Sequence, residues 1–472
     1  MEQLPFIHTI KTPLGYYFYD VNTNQIIQID EKVYNYLLGT NKNLDSICDI
    51  EKKIDKLKKA GYLSNNRPSK MIHSADRSLE FRLNENIEQV TLQVTQQCNF
   101  RCSYCIYGGN TNLQRHHTNQ CMSYDVAKSI IDFYVKHSIG QDTIFVAFYG
   151  GEPLLEFDLI KRVVNYSEKV FEGKDLTFAI TTNGSLLNDE NVDFMSKHNF
   201  EIIVSLDGTP EIHDRARKFA QTGEGTFGAI EKNLKKIRKN NPDFYRKIKF
   251  NIVIDPRNEI DALHEMVTND EIFRGAYIRA ILVDDRFTDE KTLFSNKFAI
   301  EDQIRQFKAL LSYLGRYPDN KVSIISKNSL NDMIGKYKSF MTNQQQLSET
   351  MAPGGPCVPG QKRLFVNTNG EFFPCERVSE TSDAMKIGNI KDGFDYNKAR
   401  KILNIAQLTE NACKNCWAMR YCTICVKSCD NNGELSGELK LIQCKIVINS
   451  TDEIFKDNIM LNEIKQLLKT SQ

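Results

Sequence analysis

Three cysteines in one short segment are the residues of this chain best suited to chemistry. Cys98, Cys102 and Cys105 have the spacing Cys-x3-Cys-x2-Cys, and they directly follow an alternating segment, residues 90–95, that predicts a strand. Three closely spaced thiolates can bind three irons of a 4Fe-4S cluster and leave the fourth iron without a protein ligand. The spacing therefore predicts a cluster whose open iron is free to bind a small molecule.

The N-terminal sequence favours a reducing compartment, and the charge balance indicates a protein of nearly neutral net charge. The first residues, from Met1 to His8, have neither the basic start nor the apolar core of a secretory signal, and no apolar run reaches membrane length. We therefore expect a cytoplasmic protein whose clustered cysteines serve metal or redox chemistry rather than disulfides. Lys and Arg total 61 against 60 Asp and Glu, so the charge balance predicts neither a nucleic acid nor a membrane as partner.

The middle of the chain alternates short β-branched or aromatic runs with helical patterns. This alternation is typical of consecutive βαβ units and a parallel sheet. The predicted strands are residues 90–95, 143–149, 176–182, 201–206, 248–255 and 277–283, and the predicted helices are 124–137, 157–170, 189–198, 226–239, 262–267 and 300–313. Six units are too few for a complete eight-unit barrel, so we expect a partial barrel that is open on one side.

Glycine-rich and polar segments follow three of these strands at the carboxyl end, where parallel barrels place their chemistry. They are Gly150-Gly151-Glu152-Pro153, Thr182-Asn183-Gly184 and Ser205-Leu206-Asp207-Gly208. The paired glycines allow close backbone approach, and the carboxylate of Glu152 can meet an ammonium group. A later run, residues 213–217, offers Arg215 and Arg217 either as a carboxylate anchor or as part of a salt-bridging loop.

The cysteine spacing, with Tyr104 before the last cysteine, and the Gly-Gly-Glu-Pro motif one βα unit later resemble the signature of radical S-adenosylmethionine (SAM) enzymes. The resemblance implies that Cys98, Cys102 and Cys105 hold a 4Fe-4S cluster whose fourth iron binds the methionine part of SAM. The residues that it implies for binding SAM are Tyr104, Gly150, Gly151, Glu152, Pro153, Asn183 and Ser205. Among them, the motif containing Glu152 would meet the amino group of SAM.

A second group of cysteines lies near the C-terminus, where eight of the 13 cysteines fall. They are Cys357, Cys375, Cys413, Cys416, Cys422, Cys425, Cys429 and Cys444. Extended segments on both sides of Asn369-Gly370 predict a β-hairpin that brings the first two towards one another. Eight thiolates complete two 4Fe-4S clusters, although the Cys-x2-Cys spacings also suit a structural zinc site. We expect the isolated Cys48 and Cys121 to be small buried hydrophobes.

This second group resembles the SPASM domain, the auxiliary-cluster extension of radical SAM enzymes that modify peptides and proteins. The resemblance implies that Cys357 and Cys375 join Cys425, Cys429 or both in the cluster nearer SAM. The cysteines that it implies for the distal cluster are Cys413, Cys416, Cys422 and Cys444. Related sulfatase-maturing enzymes have an Asp, the proposed base, directly after the cysteine that corresponds to Cys375. Glu376 is therefore the candidate catalytic base, with a solvated side chain beside Arg377 as the alternative.

Residues 1–85 precede the barrel and read as a small unit of strands and helices. The predicted strands are residues 7–10, 15–20 and 25–29, and the predicted helices are 31–38 and 45–60. The pattern resembles the winged-helix-like element that pairs its sheet edge with a leader peptide in ribosomal peptide maturation. A DNA-binding winged helix and a structural cap are the alternatives.

The predicted fold is an α/β protein built around a partial (β/α)6 radical SAM barrel. The predicted domains are a peptide-recognition domain at 1–85, the barrel at 86–315, a bridging segment at 316–355, a SPASM domain at 356–450 and a C-terminal helix at 451–472.

The combined resemblance implies a peptide maturase. Such an enzyme cleaves SAM, abstracts a hydrogen from a precursor peptide bound through its leader, and forms an intramolecular Cys thioether. The implied cofactors are SAM and three 4Fe-4S clusters, and the implied reductant is a protein such as flavodoxin or ferredoxin. The alternatives are carbon-carbon or ether crosslinking, formylglycine formation in a sulfatase and, in a different class, a zinc-binding interaction protein.

Overall fold

The N-terminal residues form an antiparallel sheet with two helices beside it. The computed structural model describes residues 4–40, 47–109, 113–258, 260–287, 292–342, 345–353 and 357–470. The N-terminal elements are β1 (Ile7–Lys11), β2 (Tyr16–Asp20), β3 (Gln25–Ile29), α1 (Glu31–Leu37) and α2 (Ile47–Lys59), in the sheet order β1-β2-β3. These elements confirm the predicted pattern, and the predicted start of the second helix at residue 45 lies outside the described residues.

The barrel elements follow a short strand and a short helix. They are β4 (Lys70–Met71), α3 (Leu79–Glu85), β5 (Gln89–Thr95), α4 (Tyr124–His137), β6 (Thr143–Gly150), α5 (Phe157–Val170), β7 (Asp175–Thr182), α6 (Asp189–Lys197), β8 (Phe200–Ser205), α7 (Pro210–Ala216), α8 (Phe227–Asn240), α9 (Pro242–Tyr245), β9 (Lys249–Ile254), α10 (Ile260–Asn269), β10 (Ile278–Leu282) and α11 (Asn296–Tyr313). The six barrel strands match the predicted strands to within one residue at each end. The predicted helix at 262–267 is longer at both ends, and the one at 300–313 begins four residues earlier.

Strands β5 to β10 are parallel neighbours in chain order. Every residue of β5 after Gln89 is buried, because helices cover one face of the sheet and the barrel interior covers the other. The helices begin where the sequence provides caps: Ser123 accepts a hydrogen bond from the Val126 amide at 3.2 Å, at the start of α4. The predicted partial barrel is confirmed.

The C-terminal third continues the barrel sheet. Its elements are α12 (Ile324–Met341), β11 (Thr350–Met351), β12 (Leu364–Val366), β13 (Glu371–Phe373), β14 (Gly388–Asn389), β15 (Gly393–Phe394), α13 (Tyr396–Leu403), α14 (Glu410–Lys414), β16 (Asp430–Asn431), β17 (Glu434–Leu435) and α15 (Gly437–Thr470). The predicted hairpin is β12 and β13, and β12 pairs in parallel with β5, with Leu364 opposite Val90. In the described residues the result is one ten-stranded sheet that runs from β10 to β15.

Polar contacts tie the far end of the barrel to the cysteine-rich region. The Lys427 ammonium lies 2.8 Å from the Asp284 carboxylate, just beyond β10, and Arg286 donates to the Ser428 hydroxyl at 2.6 Å. Burial raises the pKa of Asp284, but Arg286 and Lys427 outweigh it, so the pKa falls well below its usual range. The last barrel strand is therefore held against the segment that carries Cys425 and Cys429.

The N-terminal sheet shares a hydrophobic core with the C-terminal region rather than with the barrel. Phe455 on α15 is fully buried and lies 5.0 Å from the Tyr19 ring and 4.7 Å from the Tyr421 ring, centroid to centroid. Helix α15 begins at Gly437, not at residue 451 as predicted, so it includes Cys444. No helix in the described part of the chain is long and apolar enough to cross a membrane.

We predict that Phe455→Ala separates the N-terminal sheet from the C-terminal region. Truncating a buried Phe leaves a cavity and costs about 3–5 kcal/mol. Trp417, the single tryptophan of the chain, stacks on His8 with ring centroids 3.6 Å apart, so its fluorescence reports on this interface. In urea, the unfolding transition of Phe455→Ala measured by Trp417 fluorescence should move to a lower denaturant concentration than that of the wild type.

Ile446→Ala is the matched control, because Ile446 lies on the same helix and its side chain is 61% exposed. It should leave the Trp417 transition unchanged. An unchanged transition in Phe455→Ala would contradict the shared core.

Candidate active site

The cysteine loop that follows β5 is held in place by backbone contacts with the segment after α7. The Arg101 amide donates to the Lys218 carbonyl at 2.9 Å, and the Ser103 amide donates to the Ala216 carbonyl at 3.0 Å. The rings of Phe100 and Phe219 pack edge to face, 5.2 Å apart. A loop with these contacts on both sides of Cys102 presents its thiols in a defined arrangement.

The Gly-Gly-Glu-Pro motif lies directly against the start of this loop. The Gly151 amide donates to the Thr95 carbonyl and the Glu152 amide to the Gln97 carbonyl, each at 2.9 Å. A Cβ on Gly150 would lie 2.1 Å from the Thr95 carbonyl oxygen, and one on Gly151 would lie 2.1 Å from the Gln97 carbonyl oxygen. Only glycine fits at either position, because the two backbones are in contact.

Glu152 is buried, and its carboxylate joins two segments. It accepts hydrogen bonds from the Thr182 hydroxyl at 2.7 Å, the Asn183 amide at 2.7 Å and the Leu154 amide at 3.1 Å. Burial raises its pKa to about 7, against the opposing effect of these donors. The carboxylate therefore ties the end of β7 to the motif that follows β6.

One cavity brings the cysteine loop and almost all of the predicted SAM residues together. The residues that were predicted from the sequence and are found to line the cavity are Cys98, Cys102, Cys105, Tyr104, Gly150, Gly151, Glu152, Asn183 and Ser205. Pro153 does not line it and instead begins a 3₁₀ turn, Pro153–Glu156. From the run at 213–217, Arg217 reaches the cavity, whereas Arg215 is exposed and donates to Asn258 at 2.7 Å.

A buried ion pair supports the floor of this cavity. Arg217 donates to both carboxylate oxygens of Asp207, at 2.8 and 3.2 Å, and the Tyr104 hydroxyl donates to the same carboxylate. Burial raises the pKa of Asp207, but Arg217 outweighs it and the pKa is lowered. The side chain of His213 accepts a hydrogen bond from the Asp207 amide at 3.2 Å. Burial and Arg217 lower the pKa of His213 to about 4.

Sequence reasoning did not assign Asp207 a role, although its position after the fourth strand was a usable signal.

The three thiols of the loop fit a multi-iron group. Burial raises the pKa of Cys98 to about 12 and that of Cys102 to about 11, and the three thiols act on one another as neighbouring charges. Arg217 lowers the pKa of Cys102, which favours its thiolate. In the ranges that the structure describes, no three His, Cys, Asp or Glu side chains converge on a single metal ion. Three neighbouring thiols in one loop, with the Arg217 guanidinium acting on one of them, are the donor type that an iron-sulfur cluster requires.

The C-terminal cysteines divide into two neighbourhoods. Cys413, Cys422 and Cys444 all act on the pKa of Cys416, which burial raises to about 11. Cys425 instead acts on Cys375. Cys429 is buried, and Cys422, Cys425 and Cys444 all act on its pKa. Cys357 is exposed. Cys48 and Cys121 are exposed as well, so the prediction that they are buried was wrong.

Glu376 lies in a basic environment beside Cys375. Its Oε1 accepts from Arg363 at 2.6 Å and lies 3.8 Å from Arg377. Its Oε2 is buried and has no hydrogen-bond partner among the described residues. Burial, Arg377 and Arg363 lower the pKa of Arg279 on β10, so the last barrel strand faces the hairpin across the opening of the barrel. Glu376 is therefore not the freely solvated side chain of the alternative reading.

Tyr149 lies between the cavity beside the cysteine loop and the β12–β13 hairpin. It is the last residue but one of β6 and lines the cavity next to the cysteine loop. Burial raises its pKa, and so do Glu376 and Cys105, whereas Arg115 and a hydrogen bond with Tyr107 lower it. On the other side its ring packs edge to face against Phe365 of β12, 6.2 Å away. Tyr149 thus lies between the cavity and the β12–β13 hairpin that leads to Cys375 and Glu376.

Comparison with known proteins agrees with this geometry. Residues 92–268 match the Radical SAM superfamily. The cysteine-type anaerobic sulfatase-maturating enzyme of Clostridium novyi is 23% identical over 368 residues, covering 74% of this chain and 89% of that protein. The radical SAM cyclopropyl synthase TigE of Paramaledivibacter caminithermalis is 24% identical over 366 residues, covering 74% of this chain and 70% of that protein.

A solved structure described as native anSMEcpe with bound AdoMet shares the fold. Its TM-score is 0.57 at 18% identity, covering 79% of this chain and 99% of that one. The superfamily match spans the cysteine loop and the strand ends that form the cavity. The chain therefore has a radical SAM domain at residues 92–268, and over 74% of its length it is similar to radical SAM enzymes of the maturase type.

Proposed function

We propose that this enzyme matures a ribosomally made precursor peptide by forming a Cys thioether within it. The observation that carries the proposal is the position of Tyr149, which lines the SAM cavity and packs against Phe365 of the hairpin that leads to Cys375 and Glu376. A peptide segment at this wall would lie between the cysteine loop and the auxiliary cysteines. One substrate can therefore offer a carbon to the first site and a thiol to the second.

Cys98, Cys102 and Cys105 would hold the SAM-binding cluster, and the cavity residues would hold SAM. When bound, this pair supplies a 5′-deoxyadenosyl radical that takes a hydrogen atom from the substrate. Glu152 keeps the ends of β6 and β7 together. Arg217 keeps a positive charge beside Cys102 and is itself held by Asp207.

The auxiliary thiols support an assignment of two further 4Fe-4S clusters. Cys413, Cys416, Cys422 and Cys444 neighbour one another and would bind the distal cluster. Cys425 is the neighbour of Cys375, so we assign these two, with Cys357, to the nearer cluster. Three protein thiolates would leave one iron of that cluster for a substrate thiol.

Glu376 is suited to take the proton of that thiol. Arg363 holds one carboxylate oxygen, and the other is buried without a partner among the described residues. An acceptor within hydrogen-bond reach of a bound substrate is what a general base requires. Arg279, Arg363 and Arg377 together keep the surroundings of this carboxylate positive.

The N-terminal sheet offers one edge to a leader peptide. The β1 side of the sheet is covered, because His8 stacks on Trp417 and lies 2.8 Å from Asp452 of α15. Strand β3 (Gln25–Ile29) forms the opposite edge and pairs only with β2 among the described strands. Strand addition at β3 would use main-chain hydrogen bonds for affinity and side-chain pockets for specificity.

A second candidate function is oxidation of a Cys or Ser to formylglycine in a sulfatase. Similarity to sulfatase-maturating enzymes over 74% of the chain favours it. The two functions use the same radical and differ in the fate of the substrate sulfur. Thioether formation removes two hydrogens and keeps the sulfur, whereas formylglycine formation from Cys releases it.

The test offers the reduced enzyme and SAM two kinds of synthetic peptide: a Cys-containing sulfatase peptide, and Cys-rich peptides preceded by leader segments. We expect a Cys-rich peptide that loses two hydrogens, retains its sulfur and resists thiol alkylation, as measured by mass spectrometry. Loss of sulfur from the sulfatase peptide, with the Cys-rich peptides unchanged, would select the second function.

Replacing Cys98, Cys102 and Cys105 together with Ala should abolish SAM cleavage while about eight irons remain in the auxiliary clusters. The reason is that all three ligands of the open-iron cluster are removed and the C-terminal thiols are untouched. The measurement is 5′-deoxyadenosine formation with dithionite, together with iron counting. Continued formation of 5′-deoxyadenosine would disprove the assignment of this loop.

Gly151→Ala should lower 5′-deoxyadenosine formation at least tenfold, because the added methyl would lie 2.1 Å from the Gln97 carbonyl oxygen and displace the start of the cysteine loop. Gly228→Ala is the matched control: it lies on α8, and its added methyl has nothing within 4 Å. The control should match the wild-type rate, since Ala is favoured over Gly in a helix. Equal rates in both variants would contradict the backbone contact.

A further inference from the structure

A buried lysine lies among the C-terminal cysteines. Lys440, in the first turn of α15, is 1% exposed. Its ammonium lies 3.1 Å from the Cys413 sulfur and donates to the Thr409 hydroxyl at 2.6 Å. Thr409 is also within hydrogen-bond distance of Cys413, at 3.3 Å. Lysine is rarely buried to this degree without a partner of opposite charge.

No carboxylate within the described ranges forms an ion pair with Lys440. Removing an ammonium from water costs several kcal/mol unless an anion compensates it. The groups around this ammonium that can carry negative charge are cysteine thiols. They include Cys413, which is hydrogen-bonded to the ammonium, and Cys422, Cys429 and Cys444, on which the ammonium acts electrostatically. Cys413 and Thr409 use two of its three N–H donors, so one remains for another acceptor in the same space.

We propose that the Lys440 ammonium is the counterion of the distal thiolate cluster and that it raises the reduction potential of this cluster. The inference rests on the proposed function, because it takes Cys413, Cys416, Cys422 and Cys444 as the ligands of a 4Fe-4S cluster. Such a cluster is negatively charged and gains another negative charge when it takes up one electron. A fixed positive charge at a ligand sulfur therefore stabilises the reduced form more than the oxidised form.

The position of Lys440 adds to this effect. It is four residues before Cys444 on the same helix, so both side chains lie on one face of α15. Lys440 is a positioning residue in this account, since it acts through the cluster and does not touch the substrate.

The test is a redox titration of the auxiliary clusters, followed by electron paramagnetic resonance. It uses the full chain with Cys98, Cys102 and Cys105 replaced by Ala, so that only auxiliary clusters contribute. Lys440→Met should make reduction of one cluster about tenfold less favourable, a shift of about 59 mV to more negative potential for a one-electron couple. Lys440→Arg keeps the charge and should stay near the parent potential.

Lys445→Met is the matched control. Lys445 is exposed on the same helix, and its substitution changes the net charge of the protein by the same amount. It should leave both potentials unchanged, because water and salt screen an exposed charge. A shift in this control as large as that in Lys440→Met would overturn the proposal.

Iron and sulfide counts complete the test. If Lys440→Met loses about four irons and Lys440→Arg keeps them, the charge is needed to hold the cluster, which supports the counterion role. Loss of iron in both variants would assign Lys440 a packing role and overturn the proposal, and so would full iron with an unchanged potential in Lys440→Met. Zinc in place of iron in the parent protein would overturn the proposed function itself.

Discussion

The contact between two backbones at the carboxyl ends of β5 and β6 is the constraint on which the site depends. Gly150 and Gly151 press against Thr95 and Gln97 with no room for a side chain, and amide donors of the motif hold the start of the cysteine loop. Glu152 extends the same contact to β7 through the Asn183 amide. Hydrogen bonds therefore fix the ends of β5, β6 and β7 relative to one another. The cysteine loop and the cavity are built on these strand ends, so their positions are fixed as well.

The same sheet also positions the segment that leads to the auxiliary cysteines. Because β12 pairs in parallel with β5, the hairpin that leads to Cys375 and Glu376 has a defined position relative to the cysteine loop. Lys427 and Asp284 fix the far end of the barrel to the same region. A radical enzyme must hold its target carbon close to the reactive group and exclude water, and a site built on one sheet provides that rigidity.

Local patterns were sufficient to predict the barrel, whereas the residues of the cavity were predicted from the family resemblance. The six parallel strands are rich in apolar and β-branched residues, and polar residues at several of their carboxyl ends meet at one edge. Pairing between distant segments has no such local signal, so the β5–β12 contact and the core around Phe455 were not predicted. The start of α15 was misplaced because Cys444 was read as a ligand in an irregular domain. Lys440 was missed since lysines normally mark solvated faces, although its spacing from Cys444 was a usable signal.

The decisive experiment is to purify the wild-type enzyme without oxygen, count iron, sulfide and zinc per chain, and measure 5′-deoxyadenosine after adding dithionite and SAM. Three 4Fe-4S clusters require about twelve irons and an equal amount of sulfide, and we expect SAM-dependent formation of 5′-deoxyadenosine. Stoichiometric zinc with little iron and no 5′-deoxyadenosine would disprove the assignment of the three clusters.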